Sequence, residues 1–389
     1  MQVKRQAAAG SLPPRTANSG PYLAFFTAYF VQAAMYYMVV VVPYLNAEDL
    51  LAPRLLADSI TYITICPEVV SASEWYWLRD AGPCLVLIAL NHDTGLVSLF
   101  NAVLLVVVAL LFGRCYQVDG SKLLLLLLIN PLTFLSLFGP NKEVFGLAAT
   151  MCLLIFFRQR SFWSLMAALA LSFSTRVSML AAVLLFLMLC TLLVRAQARN
   201  IERRFYSLFL TAVAAFSAVA FVVNTDAQAL ILGDVFSADD NSRSTLFSLQ
   251  LDALNAKGLY LATYFLRLLL NLYGALANVA SVTLATHGVY YAVGIMGSSL
   301  IFLAMTAIAL CRPGGLLKLN EQGLHISLFV AFYTLMLCIS PVIQHRYFFP
   351  LYPILVLAMV TPKGGRRRRI AMPVIPVTTD TKDRSAISA

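Results

Sequence analysis

SKLLLLLLINPLTFLSLFGPNKEVFGLAATMCLLIFF, residues 121–157, holds two apolar runs joined by a single polar turn, GPNKE at Gly139–Glu143. Neither run alternates apolar and polar residues as a barrel strand must, so both are helical. The rest of the chain repeats this pattern. Of 389 residues, 60% are hydrophobic and 12% are charged, whereas soluble domains carry about 25% charged residues. That balance excludes an ordinary soluble enzyme, and it excludes a disordered chain, which lacks the apolar surface to fold. The fold class expected is all-α: a polytopic helical membrane protein.

About ten membrane spans are read, at 22–43, 95–113, 123–138, 144–157, 161–175, 177–194, 205–223, 288–311, 324–341 and 347–361. A span needs roughly 17–25 apolar residues, fewer where flanking Lys or Arg snorkel. The charges orient them. Lys4, Arg5, Arg15, Arg114, Lys122, Arg158, Arg160, the arginines of 195–204, Arg312, Lys318 and the tail fall on one side. That side holds 20 basic residues against 5 acidic ones, and the other holds 8 against 13. Lys and Arg stay cytoplasmic, so both termini are expected inside, with 1–361 as one membrane-embedded domain and 362–389 as a basic cytoplasmic tail. The net charge of +10 is thus a membrane signature, and nucleic acid is not an expected partner.

Two long segments, about 44–94 and 224–287, fall outside. Their apolar residues recur at helical spacing, as in Leu50, Leu51, Leu55, Leu56 and Ile60, which reads as amphipathic helices lying in the outer interface. The stretch Gly258–Ala280 is long enough to span. A crossing there would reverse the basic tail, so it is read as an outer-surface segment. Cys66 and Cys84 share the first outer segment, the oxidising side, and a disulfide is expected between them. No Cys/His spacing suggests metal ligands, and no cofactor is expected, although a divalent metal stays compatible with the sequence.

Ionisable groups near membrane depth are costly and mark function. Five sets stand out, all on the outer side. Asp58 and Tyr62 are four residues apart and share a helix face; the acid suits a general base for a hydroxyl, or it solvates a loop. Lys142 and Glu143 occupy the GPNKE turn, where Lys142 runs against the charge bias and suits a lipid phosphate, or anchors a span end. Arg176, between two spans, is a phosphate clamp or an orientation anchor. Arg267 with Asn271 adds another outer cation. QHRYFFPLYP at 344–353 supplies His345, Arg346 and Tyr347, with Arg346 suited to a phosphate.

In order and spacing, the Asp of DSITY, the KE of GPNKE, the Arg of STR and the terminal QHRY…P resemble GT-C-type integral membrane glycosyltransferases, with bacterial O-antigen and exopolysaccharide polymerases the nearest likeness. The resemblance implies transfer of a sugar or glycan from a polyprenyl-phosphate or polyprenyl-diphosphate donor to an acceptor hydroxyl. The reaction would occur at the periplasmic face of the bacterial inner membrane. It implies Asp58 as base, with Glu143 the second candidate, because a paired-acid motif is not clear and Glu48 and Asp49 lie upstream. Lys142, Arg176, Arg267 and Arg346 would steady the phosphate, and Tyr62, Asn271, His345 and Tyr347 would line the substrate. Implied partners are the polyprenyl-linked glycan, membrane lipids and other envelope polysaccharide-assembly proteins. A single-sugar transferase would share every one of these residues. The reading from another class is a flippase or small-molecule transporter, which calls for polar groups at the bilayer midplane instead.

Overall fold

The computed structural model describes residues 20–38, 62, 66, 81–175, 177–195, 211, 266, 289–311, 326, 329–334, 337 and 345–360. All the regular elements among them are helices: α1 (Gly20–Tyr36), α2 (Ala81–Ala89), α3 (Thr94–Tyr116), α4 (Gly120–Leu128), α5 (Pro131–Leu137), α6 (Glu143–Gln159), α7 (Phe162–Thr175), α8 (Val177–Arg195), α9 (Val289–Cys311), a 3-10 turn (His345–Leu351) and α10 (Tyr352–Val360).

The all-helical expectation stands for these residues; they do not support the count of ten spans. Among the described residues one helix, α3, is long and apolar enough to cross a membrane. The expected span 123–138 is two short helices, because Asn130 turns extended, accepts the Leu132 N–H at 3.0 Å through Oδ1, and is followed by Pro131 at the first helical position. Pro is tolerated there and breaks a helix further in. The expected span 347–361 opens as the 3-10 turn, with Pro350 inside it, and only then becomes α10. Spans 205–223 and 324–341 lie outside the described residues apart from Thr211, Ile326, 329–334 and Leu337.

The centre of the bundle is α6. Every residue from Glu143 to Ile155 is buried, and α6 packs against α3, α5, α7, the 3-10 turn and α10. A helix apolar on all sides belongs in such a place. By contrast, α3 buries one face and exposes Leu96, Leu99, Phe100, Val103, Val107 and Leu111 on the other; α1 likewise exposes Leu23, Phe30 and Val31. Soluble monomers rarely expose contiguous apolar patches beyond a few hundred Å².

Helix ends are set by local chemistry. Asp93 caps α3 by accepting the Gly95 and Leu96 N–H groups at 2.8 and 3.1 Å. Just before it, Asn91 and His92 both take the left-handed conformation, at φ 52° and 61°. This reverses the chain from α2 into α3 with the His92 N–H bonded to the Leu87 carbonyl at 2.8 Å. Cys84–Ala89 thus lies within α2. Cys66 and Cys84 form the expected disulfide, 18 residues apart.

Candidate functional site

The broken α4–α5 pair delivers the chain to Gly139–Glu143 inside the bundle. Phe138 through Asn141 and Glu143 are buried, and Lys142 is half-buried, so GPNKE is an interior turn and not the solvated hairpin tip that its polarity suggests. A buried turn must find partners for its backbone polar groups, and α3 supplies them. The Gly139 N–H donates to Ser98 Oγ at 2.8 Å, and Asn101 Nδ2 donates to the Gly139 carbonyl at 2.9 Å and to the Leu137 carbonyl at 3.4 Å. Ser98 and Asn101 are three apart and share a helix face. Gly139 itself sits at φ 75°, a conformation that glycine adopts without strain. Tyr29 of α1 stacks on Phe138, ring centroids 5.7 Å apart, and closes the other side.

Downstream, Asn141 Oδ1 accepts the Glu143 N–H at 3.0 Å, so α6 is capped from the residue before Lys142. The Nδ2 of Asn141 and the Oδ1 of Asn101, both buried, have no hydrogen-bond partner among the described residues. Buried polar atoms of this kind are rare and call for a ligand group or a water. The Lys142 Nζ lies over the ring of Tyr62, 5.8 Å from its centroid. Tyr62 is buried in a small cluster with Cys66, Cys84, Leu87 and Val97, so the disulfide and α2 hold the ring that Lys142 meets.

Two further segments converge one helical turn into α6. A Cβ placed on Gly146 would lie 2.7 Å from Pro350 Cγ and 3.3 Å from Thr175 Cγ2. Only glycine admits both approaches. Pro350 ends the His345–Pro350 stretch, and Thr175 is the residue before Arg176. In the 3-10 turn Arg346 is 8% exposed and lies 5.8 Å from the ring centroid of Tyr347, whose carbonyl accepts the Tyr333 hydroxyl at 2.8 Å. A guanidinium so enclosed needs partners, which sets Arg346 apart from the exposed Arg114 and Arg160.

Of the residues singled out in the sequence, Tyr62 and Lys142 meet directly. Glu143 starts the helix whose Gly146 receives the 3-10 turn, and Arg346 and Tyr347 lie in that turn, which His345 opens. Asp58, Arg176, Arg267 and Asn271 lie outside the described residues. Sequence reading missed Ser98, Asn101 and Asn141. The signal for the first two was present, as polar residues at helical spacing inside the apolar run LVSLFNAVLL. Among the described residues no three His, Cys, Asp or Glu side chains are grouped to hold a metal.

The turn gathers a carboxylate, a cation and two buried amides, and the 3-10 turn that carries Arg346 packs on the same helix at Gly146. A carboxylate, a cation and amides so placed have the donors and acceptors to hold an anionic or hydroxyl-rich group. Compared with known proteins, the chain matches no protein family, no curated protein and no solved structure.

Proposed function

We propose that this chain is a multi-pass inner-membrane glycosyltransferase, with both termini cytoplasmic. It transfers a sugar or glycan from a polyprenyl-phosphate or polyprenyl-diphosphate donor to an acceptor hydroxyl at the periplasmic face. The observation that carries the reading is the convergence on Gly146: the helix of Lys142 and Glu143, the residue preceding Arg176, and the turn containing Arg346 meet at one point. Three stretches far apart in sequence adjoin at Gly146, Thr175 and Pro350, which supports a shared site for the motifs beside them. The apolar exposed faces of α1 and α3 suit a lipid surroundings and an isoprenoid-linked substrate.

In this reaction the acceptor oxygen attacks the anomeric carbon while the bond from that carbon to the phosphate oxygen breaks. The electron pair leaves on the phosphate, the hydroxyl proton passes to a carboxylate, and the anomeric centre inverts. Asp58 is the base of first choice, four residues before Tyr62 in sequence; Glu143 is the second. A phosphate leaving group needs cations more than an acid, and Lys142, Arg176, Arg267 and Arg346 supply preorganised positive charge.

Purified protein incubated with a polyprenyl-diphosphate-linked glycan, with product followed by mass spectrometry, tests this. Replacing the base, by Asp58→Asn or Glu143→Gln, lowers turnover about 100-fold or more. Lys142→Ala, Arg176→Ala and Arg346→Ala each lower it on the order of 100-fold. Neutralising Arg366 to Arg369 leaves transfer intact. Full activity in all of the site variants, or no transfer by the wild-type chain alongside glycan-lipid movement across a vesicle membrane, would favour the transporter reading.

A further inference from the structure

The opposite end of α3 and α6 carries a second set of cations that the glycosyl-transfer reading does not use. Arg158, in the last turn of α6, lies 5.0 Å from the ring centroid of Tyr116 at the end of α3, and the Tyr116 hydroxyl donates to the Leu154 carbonyl at 2.9 Å. Arg114 is in the last turn of α3. The start of α4 is held to the same level, where Leu123 reaches Gly113; Lys122 precedes it and is exposed. Arg160 ends α6 in the left-handed conformation, its guanidinium 5.8 Å from the Phe156 ring centroid. The α3–α4 and α6–α7 connections thus bring four cations to the same end of the bundle. None of the four forms an ion pair among the described residues, and Asp119 is the one acid in these two turns.

Helix C-termini favour cations through the macrodipole, which accounts for Arg114 and Arg158 but not for what surrounds them. Phe162 and Trp163, the first residues of α7, are 62% and 79% exposed and form an edge-to-face pair. Large aromatics so exposed beside cations match the belt at a membrane–water boundary. The exposed stripe of α3 passes through Val103, Val107 and Leu111 and leads at helical spacing to Arg114. A molecule lying along α3 with an apolar chain would bring its head to these cations.

We propose that this end of the bundle docks the phosphate headgroups of anionic phospholipids. Arg158 and Arg160 meet the phosphate, Arg114 and Lys122 extend the positive field, and Phe162 and Trp163 sit at headgroup depth. Charge complementarity selects the occupant: a zwitterionic lipid would gain little from four cations, whereas a polybasic juxtamembrane cluster attracts anionic ones. The proposal rests on the membrane reading above but not on glycosyl transfer.

The test uses the full chain with Trp75→Phe and Trp77→Phe, so that Trp163 is its sole tryptophan, in phosphatidylcholine bilayers. Trp163 fluorescence is titrated with brominated-chain phosphatidylglycerol or with brominated-chain phosphatidylcholine. Quenching half-saturates at a lower mole fraction of the anionic lipid, and Arg158→Gln and Arg160→Gln each cut that preference about fivefold. Quenching by the zwitterionic lipid stays unchanged in both variants, and Arg158→Lys keeps most of the preference. Equal curves for the two lipids in the parent protein overturn the proposal and leave the membrane reading standing. Absence of quenching by either lipid overturns both. Retention of the full preference in the double glutamine variant also overturns it.

Discussion

The two ends of the α3–α6 pair use the same residue types to opposite ends. At one end Lys142 lies over Tyr62, at the other Arg158 lies over Tyr116. Around Lys142 the polar groups are enclosed: Asn101 and Asn141 are each 1% exposed and Glu143 is 4% exposed. At the Arg158 end, Arg114, Lys122, Arg160, Phe162 and Trp163 are exposed. Enclosure raises the stakes for every polar atom, because a buried group without a partner costs about 1–3 kcal/mol. A protein keeps such a cluster where it is used, whereas open cations cost little and act through their summed field. Burial, more than residue type, separates the two ends.

The largest stability effect expected at the enclosed end comes from its covalent tie. Cys66→Ser with Cys84→Ser removes the link that holds the Tyr62 cluster to α2, and the chain-entropy account of an 18-residue closure gives a loss of roughly 3 kcal/mol. A denaturation midpoint that stays put in the double serine variant would mean that Tyr62 is held by packing alone. At the open end the comparable change is small: Cys115 and Cys152 are buried thiols without a bridge, and Cys115→Ala loses packing only.

A matched pair of glycine substitutions sharpens the contrast. Gly146→Ala drives a methyl to 2.7 Å from the Pro350 ring, whereas Gly113→Ala, at the open end, places one in ordinary contact, 3.4 Å from the end of the Leu123 side chain. Overpacking costs typically 1–3 kcal/mol, so Gly146→Ala lowers thermal stability and separates the turn of Arg346 from α6. Gly113→Ala gains helix propensity, up to about 1 kcal/mol, and is neutral to stabilising. Equal melting shifts for the two would mean that the enclosed end is not tightly packed.

These differences bear on what the sequence makes legible. Hydropathy places α3, α6, α7 and α8 within a few residues of their ends, because long apolar runs bounded by polar residues are a strong helix signal. It misses the break at Asn130, where a single amide and the following Pro131 outweigh six leucines. It reads GPNKE as a turn but not as a buried one, because the groups that satisfy it, Ser98 and Asn101, belong to another helix. Cys66–Cys84 is legible from the two cysteines lying close together in one segment of the sequence. The meeting of Tyr62 with Lys142, and of Gly146 with Pro350 and Thr175, depends on tertiary packing for which no local pattern carries a signal. Ser98 and Asn101 are the one part of the site a stricter reading would have found, since polar pairs at helical spacing are informative in an apolar helix.

Asn101→Ala probes that pair directly. It strips the Gly139 and Leu137 carbonyls of their donor inside the bundle, with a loss of about 1–3 kcal/mol, and it loosens the turn that presents Lys142. Asn101→Asp is expected to be as harmful, because a carboxylate cannot donate to the same carbonyls. Asn101→Gln keeps the donor at a longer reach and recovers part of the stability. Identical melting curves for Asn101→Ala and the parent would show that the turn closes without α3.

The smallest effect concerns how the chain enters the enclosed end. Two consecutive non-glycine residues, Asn91 and His92, are left-handed there, whereas Gln117 and Arg160 at the open end are single left-handed residues. Left-handed backbone costs an ordinary L residue roughly 1–2 kcal/mol, and Asn tolerates it better than most. His92 therefore carries most of the strain of the pair. His92→Gly removes its Cβ from that conformation but adds unfolded-chain entropy, so the gain nets to somewhat under about 1 kcal/mol. Asn91→Gly gains less. Because His92 is exposed, no packing is lost with its ring, and a modest rise in melting temperature is the expected outcome. A fall in His92→Gly would mean that the imidazole stabilises the corner through a contact outweighing its backbone strain. The corner would then be a deliberate part of the enclosed end, in the way that Asp93, one residue later, already is as the cap of α3.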